Sequence, residues 1–262
     1  MTLMKIAPKI GPKIAAMMVP MMVLCAVLLG HAARADAFTA EELAAKNIEA
    51  KGGAAALAAV QSVRRSGLLI VNGGQLSLAI VETRQRPGSI RNELTLQGLT
   101  QVESYDGKDG WRIDPFQGRK DPERTSPDDL KGLIEDAQIG GPLEDYQARG
   151  ATLEYAGTED IDGTAAHKLK LSHKNGDLQY IYLDPDYFLE IRIESQRSVR
   201  GVKQIVITDL GEYEQVSGVY WASSVTSRSK GDRDPAKILY DTIEVNIPLD
   251  AAYFSFPTPA KN

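Results

Sequence analysis

The 262-residue chain carries 30 Lys and Arg against 35 Asp and Glu, which gives a formal net charge of −5, and it has a single cysteine. An acidic balance does not suit the phosphate backbone, so the composition argues against nucleic acid as a partner. One cysteine cannot close a disulfide within the chain. The fold must therefore rest on its apolar core, and a chain of this length can bury one.

Residues 1–35 have the pattern of a cleaved signal peptide. Three lysines precede an apolar run from Ile14 to Gly30, and Ala33-Arg34-Ala35 is a small-x-small cleavage site. The run is interrupted by Pro20 and is short for a membrane span of about 20 residues, which disfavours an uncleaved anchor. We expect an exported mature chain that begins at Asp36.

Two short helices are predicted at the start of the mature chain. Thr39-Ala-Glu-Glu42 has the spacing of a capping box, with a hydroxyl at the N-cap and a glutamate three residues later. The helix that follows is expected to run to Ala50 and to end at Gly52-Gly53. Ala54 to Val60 predicts a second helix that packs on a sheet.

Alternating apolar and polar runs then predict antiparallel strands joined by tight turns. In chain order the first group comprises Val63 to Val71, Gln75 to Gln85, Ser89 to Gln97, Leu99 to Tyr105 and Trp111 to Ile113. Gln117 to Arg124 is charged and contains Gly118 and Pro122, which favours an exposed loop. Adjacent strands with such short connections pair as an up-and-down meander.

A third helix interrupts the strands. Ser126-Pro127-Asp128-Asp129 combines an N-cap serine, proline at the first helical position and acids in the first turn. The residues that follow at i, i+3, i+4 and i+7 form one apolar stripe, made of Leu130, Leu133, Ile134 and Ala137. A helix inserted into a meander must cover an apolar surface, and the concave face of the sheet offers one.

The region from Gly150 to Val245 is strand after strand. Asn175-Gly176 between two alternating runs is a strong hairpin signal. The predicted fold class is mainly β (α+β): a single curved antiparallel sheet of about eleven strands, with helices over its concave face. No repeat or low-complexity linker divides the chain, so residues 36–262 are expected to form a single domain.

Catalytic and metal-binding patterns are scarce. His167 and His173 could form a metal pair, but two histidines on a polar strand face explain them better, because no further histidine or cysteine remains in the mature chain to complete a site. Gly-x-Ser-x-Gly and Gly-rich phosphate loops do not occur. We therefore expect no enzyme activity, no cofactor and no metal.

Apart from these patterns, the predicted strands carry many apolar residues that share one face. A curled sheet that closes incompletely can enclose an apolar cavity, or the same side chains can simply fill its interior. Periodicity does not distinguish the two interpretations.

Several turn and strand motifs follow one another in a recognisable order. They are Asn47 to Gly53, Val60 to Val63, Tyr105 to Trp111, Pro115-Phe116, Ile161 to Gly163, Tyr180 to Asp184, Asp209 to Gly218, Tyr220-Trp221, and a tail with Asn246, Leu249, Asp250, Phe254 and Pro257. In these residues the mature chain resembles the LolA-like lipoprotein-sorting group of periplasmic proteins, across nearly its full length.

This resemblance implies an open half-barrel with a helical lid and a hydrophobic cavity for acyl chains. With the signal peptide, we expect a periplasmic, monomeric carrier or sensor, with lipid or lipoprotein acyl chains as its ligand and membrane donor and acceptor proteins as partners. The carrier itself uses an arginine near the cavity mouth; Arg64, Arg65, Arg84 and Arg91 lie in suitable strands, and no local motif selects one.

We expect the lid helix to present Leu130, Leu133 and Ile134 to the ligand. The expected lining of the sheet is Leu78, Leu94, Leu96, Trp111, Ile181 and Ile191. A slip of one residue in strand register would turn any of these outward.

Two other functions fit the sequence less well. An envelope-stress or assembly factor could use the same fold to bind a protein partner through exposed strand edges. A hydrolase is the weakest interpretation, because no nucleophile and base can be paired from the sequence.

Overall fold

Thirteen antiparallel strands form one open, curved sheet in the computed structural model, which describes residues 38–250 and 252–257. The predicted signal peptide lies outside the described residues. In chain order the strands are β1 (Ser62–Val71), β2 (Leu76–Gln85), β3 (Ser89–Leu96), β4 (Leu99–Tyr105), β5 (Gly110–Asp114), β6 (Arg119–Arg124), β7 (Thr152–Ile161), β8 (Thr164–Ser172), β9 (Leu178–Leu183), β10 (Glu190–Val199), β11 (Val202–Val216), β12 (Val219–Ser229) and β13 (Ala236–Val245).

The strand order is β6-β5-β4-β3-β2-β1-β13-β12-β11-β10-β9-β8-β7. Strands that are consecutive in the chain pair with each other, except β6 and β7, and the pairing of β1 with β13 joins the two halves. Strands β6 and β7 are therefore the two edges. The chain between Arg124 and Thr152 has to cross from one edge to the other, and this crossing carries the third helix.

The mainly β fold is confirmed, and the sheet has thirteen strands where about eleven were expected. One difference is β6, where the sequence predicted a loop. Arg119 to Arg124 pairs with β5 along an outer edge. Pro122 and the charged side chains are tolerated there because an edge strand does not need every ladder bond and is often protected by charge.

The three predicted helices are present as α1 (Ala40–Ala50), α2 (Ala54–Ala59) and α3 (Pro127–Asp136). The capping box of α1 forms: Thr39 Oγ1 accepts from the Glu42 N–H at 3.1 Å, and Glu42 Oε2 accepts from the Thr39 N–H at 2.8 Å. Ser126 Oγ caps α3 by accepting from the Asp129 N–H. Local side-chain chemistry thus sets where these helices begin.

The helices lie on one side of the sheet, which we call the inner face. Leu43 and Ala44 of α1 pack on the strand residues Leu169 and Ile181, and all four are buried. A second cluster joins Leu57 of α2 to residues of β1 and β12, namely Val63, Val219 and Trp221. These clusters hold α1 and α2 firmly on the sheet.

Helix α3 crosses the inner face. It contacts β3 and β4 on one side and β10 on the other. Because α3 contacts strands from both halves of the sheet, it covers the space between those strands, as expected for a lid.

Candidate ligand-binding cavity

A cavity of about 680 Å³ lies between the sheet and the segment that contains α3. This volume falls within the range of about 300–1,000 Å³ typical of small-molecule pockets. Its apolar wall comes mainly from β10 to β13, with three residues from the covering segment. The apolar lining residues are Ile193, Val206, Leu210, Val219, Trp221, Ala222, Val225 and Ile238 on the sheet side, and Ile134, Ile139 and Pro142 on the covering side.

Charged side chains also line this cavity, whereas the sequence analysis considered only a single arginine near its mouth. Four are acidic, namely Glu82, Glu135, Asp136 and Glu190, and six are basic, namely Lys51, Arg65, Arg84, Arg149, Lys174 and Arg197. The cavity is therefore apolar along one wall and charged elsewhere. Most of these charges are arranged in pairs.

The most buried charged group centres on Glu82. Its Oε1 accepts from Arg65 Nη2 at 2.7 Å and lies 2.9 Å from Arg84 Nε, and Arg65 stacks over the Tyr240 ring at 4.0 Å. Burial would raise the pKa of Glu82, but Arg65 and Arg84 outweigh it and hold the pKa near 2. Glu82 is therefore ionised and compensates two guanidinium groups at once.

A second buried pair anchors the end of α1. Lys51 Nζ donates to Glu190 Oε1 at 2.8 Å and to the Gly140 carbonyl at 3.0 Å. Tyr213 Oη donates to the Glu190 carbonyl at 2.8 Å, and burial raises the pKa of this phenol well above its usual value. The pair ties α1, β10 and the segment after α3 together at one end of the cavity.

The last turn of α3 is tied to both walls of the cavity. Glu135 lies 2.9 Å from Arg197 of β10, and its Oε2 also accepts from Gln179 Nε2 at 3.2 Å. On the opposite wall, Arg84 Nη1 donates to the Gln138 carbonyl just after the helix, at 3.2 Å. Polar bonds thus hold the last turn of α3 on both walls, and just beyond it Ile139 packs into the apolar cluster of Leu57 and Trp221.

Asp136 sits between these two arginines. Its side chain lines the large cavity and a second, smaller one, so its accessible surface faces cavity space. Its surroundings raise the pKa of Asp136 to about 6, because the loss of solvent outweighs the attraction of Arg84 and Arg197. It is the one carboxylate of the cavity wall whose charge is poorly compensated.

The first turn of α3 is bound to the β10–β11 hairpin. The Arg200 N–H donates to Asp128 Oδ2 at 3.0 Å, the Arg200 side chain pairs with Asp129, and Lys131 donates to the Ser198 carbonyl. These groups are largely exposed, and exposed pairs contribute little stability. The firmer attachment of this end comes from Leu130, the buried side chain of α3.

Of the three predicted lid residues, only Ile134 lines the large cavity. Leu130 and Leu133 line the smaller cavity of about 250 Å³, over β3 to β5. Leu130 is also packed against Gly110, where a Cβ atom would lie 2.1 Å from a Leu130 methyl carbon. The apolar stripe of α3 is thus divided between two spaces.

None of the six predicted sheet residues lines the large cavity. Leu78 and Leu94 do lie on the inner face, since Leu78 alternates with Glu82 and Leu94 pairs with Ile80, and Leu96 continues that alternation. They lie farther along the strands, beyond the cavity wall.

The other three sheet residues lie elsewhere for different physical reasons. Ile181 is on the inner face, but α1 covers it in a filled core. Ile191 packs against Tyr182 on the outer face, because a bulge between Glu190 and Arg192 reverses the alternation.

Trp111 is also on the outer face, opposite the position expected for it. Its Nε1 donates to the Phe254 carbonyl at 2.8 Å, and Ser104 Oγ donates to the same carbonyl at 2.9 Å. Trp111 therefore anchors the C-terminal tail and does not contact the cavity.

The cavity residues that the sequence analysis missed carry a detectable signal. Leu78, Ile80, Glu82 and Arg84 follow one another with period two on β2, so the inner face runs directly from apolar to charged residues. A charged pair on an otherwise apolar strand face indicates a buried polar site. Of the four arginines considered for ligand handling, Arg65 and Arg84 line the cavity.

The two histidines do not come together as a metal site. His167 contacts Tyr155 and stacks on Phe188, whereas His173 lies within 3.0 Å of Gln179 Oε1 at the cavity. Within residues 38–250 and 252–257, no group of three or more metal-ligating side chains is found.

Comparison with known proteins gives matches at the level of structure. No protein-family model matches the sequence, and no curated protein matches it. A LolA superfamily protein from Nitrosomonas europaea superposes with a TM-score of 0.58 at 12% identity, covering 83% of this chain and 98% of that one. A putative outer membrane lipoprotein-sorting protein domain from Vibrio parahaemolyticus gives 0.54 at 13% identity, covering 81% and 97%.

The chain has a LolA-like fold. A DUF1329 family protein from Desulfovibrio piger shares it, with a TM-score of 0.56 at 13% identity over 82% of this chain and 97% of that one. The resemblance read from the sequence motifs is confirmed at the level of the fold. In the part of the LolA-like chain that the structure describes, no helix is both long and apolar enough to cross a membrane.

Proposed function

We propose that this LolA-like protein is a periplasmic carrier that holds a lipid, or the acyl chain of a lipoprotein, in the cavity beneath α3. The observation that carries the proposal is a cavity of about 680 Å³ in which apolar residues of β10 to β13, such as Ile193, Leu210 and Val225, form most of one wall. Burial of hydrocarbon contributes about 0.8 kcal/mol per methylene, so one chain provides ample affinity. The periplasmic location rests on the signal-peptide pattern of residues 1–35.

In this proposal the protein makes and breaks no covalent bond. We expect α3 to move on loading and release, since its last turn spans the space between β2 and β10 through Arg84 and the Glu135–Arg197 pair. A ligand can shift the lid only through different affinities for the open and closed states. A membrane donor or acceptor with a competing apolar site fits that requirement.

A blocking substitution tests the proposal. Leu210 lies on the cavity wall, and Leu210→Trp places a large side chain in the space. Leu68, 46% exposed on the outer face of β1, provides the matched control Leu68→Trp. We expect Leu210→Trp to weaken binding of a fluorescent fatty-acid probe at least roughly tenfold, the effect of about 1.4 kcal/mol, and Leu68→Trp to leave it unchanged. Equal binding by both variants and the parent protein contradicts the proposal.

A further inference from the structure

The charges on the cavity wall do not balance. Six basic side chains face four acidic ones, whereas acidic residues exceed basic ones over the whole chain. Charge removed from water needs a nearby counter-charge. Two positive charges of the cavity wall are therefore not matched by carboxylates of the same wall.

Pairing the groups identifies these two charges. Lys51 is bound to Glu190, and Arg197 lies against Glu135. Arg65 and Arg84 share Glu82, and Asp136 lies in the field of Arg84 and Arg197, so the four acidic residues of the wall are matched by four of its six basic ones. The remaining wall residues are Arg149 and Lys174.

Arg149 is held entirely by neutral acceptors. Its guanidinium donates to the carbonyl oxygens of Glu144 and Pro142 and to Gln138 Oε1, at 2.8 Å for Pro142 and 3.4 Å for Gln138. The nearest carboxylate, Glu144, pairs with Arg86 at 2.6 Å. Burial lowers the pKa of Arg149, and the attraction of Glu144 and Asp145 opposes it only in part. This cation is desolvated and short of negative charge.

Lys174 lies beside Arg149 at the solvent side of the cavity. The Lys174 side chain packs over Gly150, which follows Arg149 directly. Its Nζ lies 2.5 Å from the point that a Cβ atom of residue 150 would occupy. Within the described residues its ammonium makes no salt bridge, and the neighbouring wall residues His173 and Asn175 are polar. Arg149 and Lys174 thus form a basic rim where the cavity meets solvent.

We propose that the ligand is an anionic amphiphile, whose hydrocarbon chain lies along the apolar wall of β10 to β13 and whose carboxylate or phosphate binds at the rim formed by Arg149 and Lys174. This inference rests on the proposed carrier function and adds the charge of the head group. A negative head group balances the rim and forms charge-assisted hydrogen bonds with both side chains. An uncharged head group leaves Arg149 uncompensated.

Matched ligand pairs test this inference on the full mature protein. The affinity for palmitic acid is compared with the affinity for 1-hexadecanol, which has a chain of the same length and an uncharged head group. Hexadecyl phosphate, again of the same chain length, tests a phosphate head group. We expect both anions to bind at least roughly fivefold more tightly than the alcohol, about 1 kcal/mol in free energy. The tighter of the two anions identifies carboxylate or phosphate as the natural head group.

Charge reversal locates the head group. Lys174→Glu alters an exposed side chain that supports no hydrogen bond of the described fold, and Lys203→Glu, also exposed but outside the cavity, is its matched control. We expect Lys174→Glu to abolish both the preference for anions and the salt dependence of palmitate binding, while hexadecanol binding stays unchanged. Lys203→Glu should change none of these.

The outcomes separate this inference from the carrier proposal. If neither palmitate nor hexadecanol binds, the carrier function itself fails. If both bind equally, or if Lys174→Glu retains the full preference for anions, the carrier function stands and the proposed binding of an anionic head group at the basic rim is overturned.

Discussion

The inner face of this sheet has two regions that look alike in sequence and differ in structure. On β8 and β9, Leu169, Leu171 and Ile181 are fully buried in one cluster with α1 and with Leu143 and Tyr146 of the segment after α3. On β10 to β13, equally apolar residues such as Leu210 and Val225 face a cavity, because α3 covers them at a distance. The strands are similar in both regions. The elements packed over the inner face therefore determine whether its apolar side chains form a filled core or line a cavity.

The two covers are attached by different forces. Helix α1 packs closely along its length through apolar side chains and has one buried ion pair, Lys51–Glu190, at its end. The last turn of α3 is instead joined to β2 and β10 by ion pairs and hydrogen bonds, and apolar packing resumes beyond it at Ile139. Dense packing leaves no space between helix and sheet. Long charged side chains span a gap, so they can hold a lid above a cavity and still allow it to open.

The largest effect is expected from removing the carboxylate that two arginines share. Glu82→Gln leaves Arg65 and Arg84 buried without their counter-charge, and breaking such a buried pair costs about 3–5 kcal/mol. Urea denaturation measures the loss in the free energy of unfolding. Glu214→Gln, at an exposed position of β11, is the control and should change stability by less than about 0.5 kcal/mol. A Glu82→Gln protein as stable as the control would show that the charged wall is not a structural element.

The same leucine-to-alanine substitution should reduce the free energy of unfolding by different amounts in the filled core and at the cavity. Leu169→Ala opens a hole in the filled region and is expected to cost about 2–5 kcal/mol. Leu210→Ala removes a half-buried side chain that already borders empty space, and about 1 kcal/mol is expected. The free energies of unfolding of both variants, measured without ligand, give the comparison. Equal costs would mean that the space beneath α3 is closed in solution.

The smallest effect concerns pH and Asp136. Its pKa is raised to about 6 in the folded protein, so between that value and its ordinary value near 3.8 the folded state holds a proton that the unfolded state has lost. Stability from this group is therefore lost as pH rises through this window, and the penalty is complete above about pH 7. The groups that face Asp136 are Arg84, Arg197, Glu82 and Glu135.

The substitution Asp136→Asn should remove that penalty. At about pH 7.5 the variant is expected to be more stable than the parent by about 1 kcal/mol, allowing for the solvent that reaches the carboxylate, and equally stable at about pH 4. Thermal or urea unfolding at both values checks the sign. A destabilised variant at the higher pH would show that Asp136 pairs productively with the arginines.

Local signals allowed most of the fold to be predicted from the sequence. The capping residues Thr39 and Ser126 indicated the starts of α1 and α3, and period-two runs predicted the first five strands to within a residue or two of their ends. Between Gly150 and Val245 they predicted successive strands without individual bounds. The charged residues Arg119 to Arg124 were wrongly predicted to form a loop, because a strand at the sheet edge can be polar on both faces. That error accounts for part of the difference in strand number.

The site was predicted less well, for two physical reasons. A bulge after Glu190 moved Ile191 to the outer face, and strand periodicity contains no signal for a bulge. The second reason is that a sequence shows which residues face inward but not which helix covers them, so Ile181 could not be distinguished from a cavity residue such as Leu210. The charged wall, in contrast, was readable from the run that ends in Glu82 and Arg84.

The most direct test of the carrier account is to extract the mature protein, purified from the periplasm under native conditions, with organic solvent and to identify what it holds by mass spectrometry. The account predicts one amphiphile per protein, which is absent from Leu210→Trp prepared in the same way and present in Leu68→Trp. A parent protein that yields no lipid, and takes up none from phospholipid vesicles containing fatty acid, would contradict it.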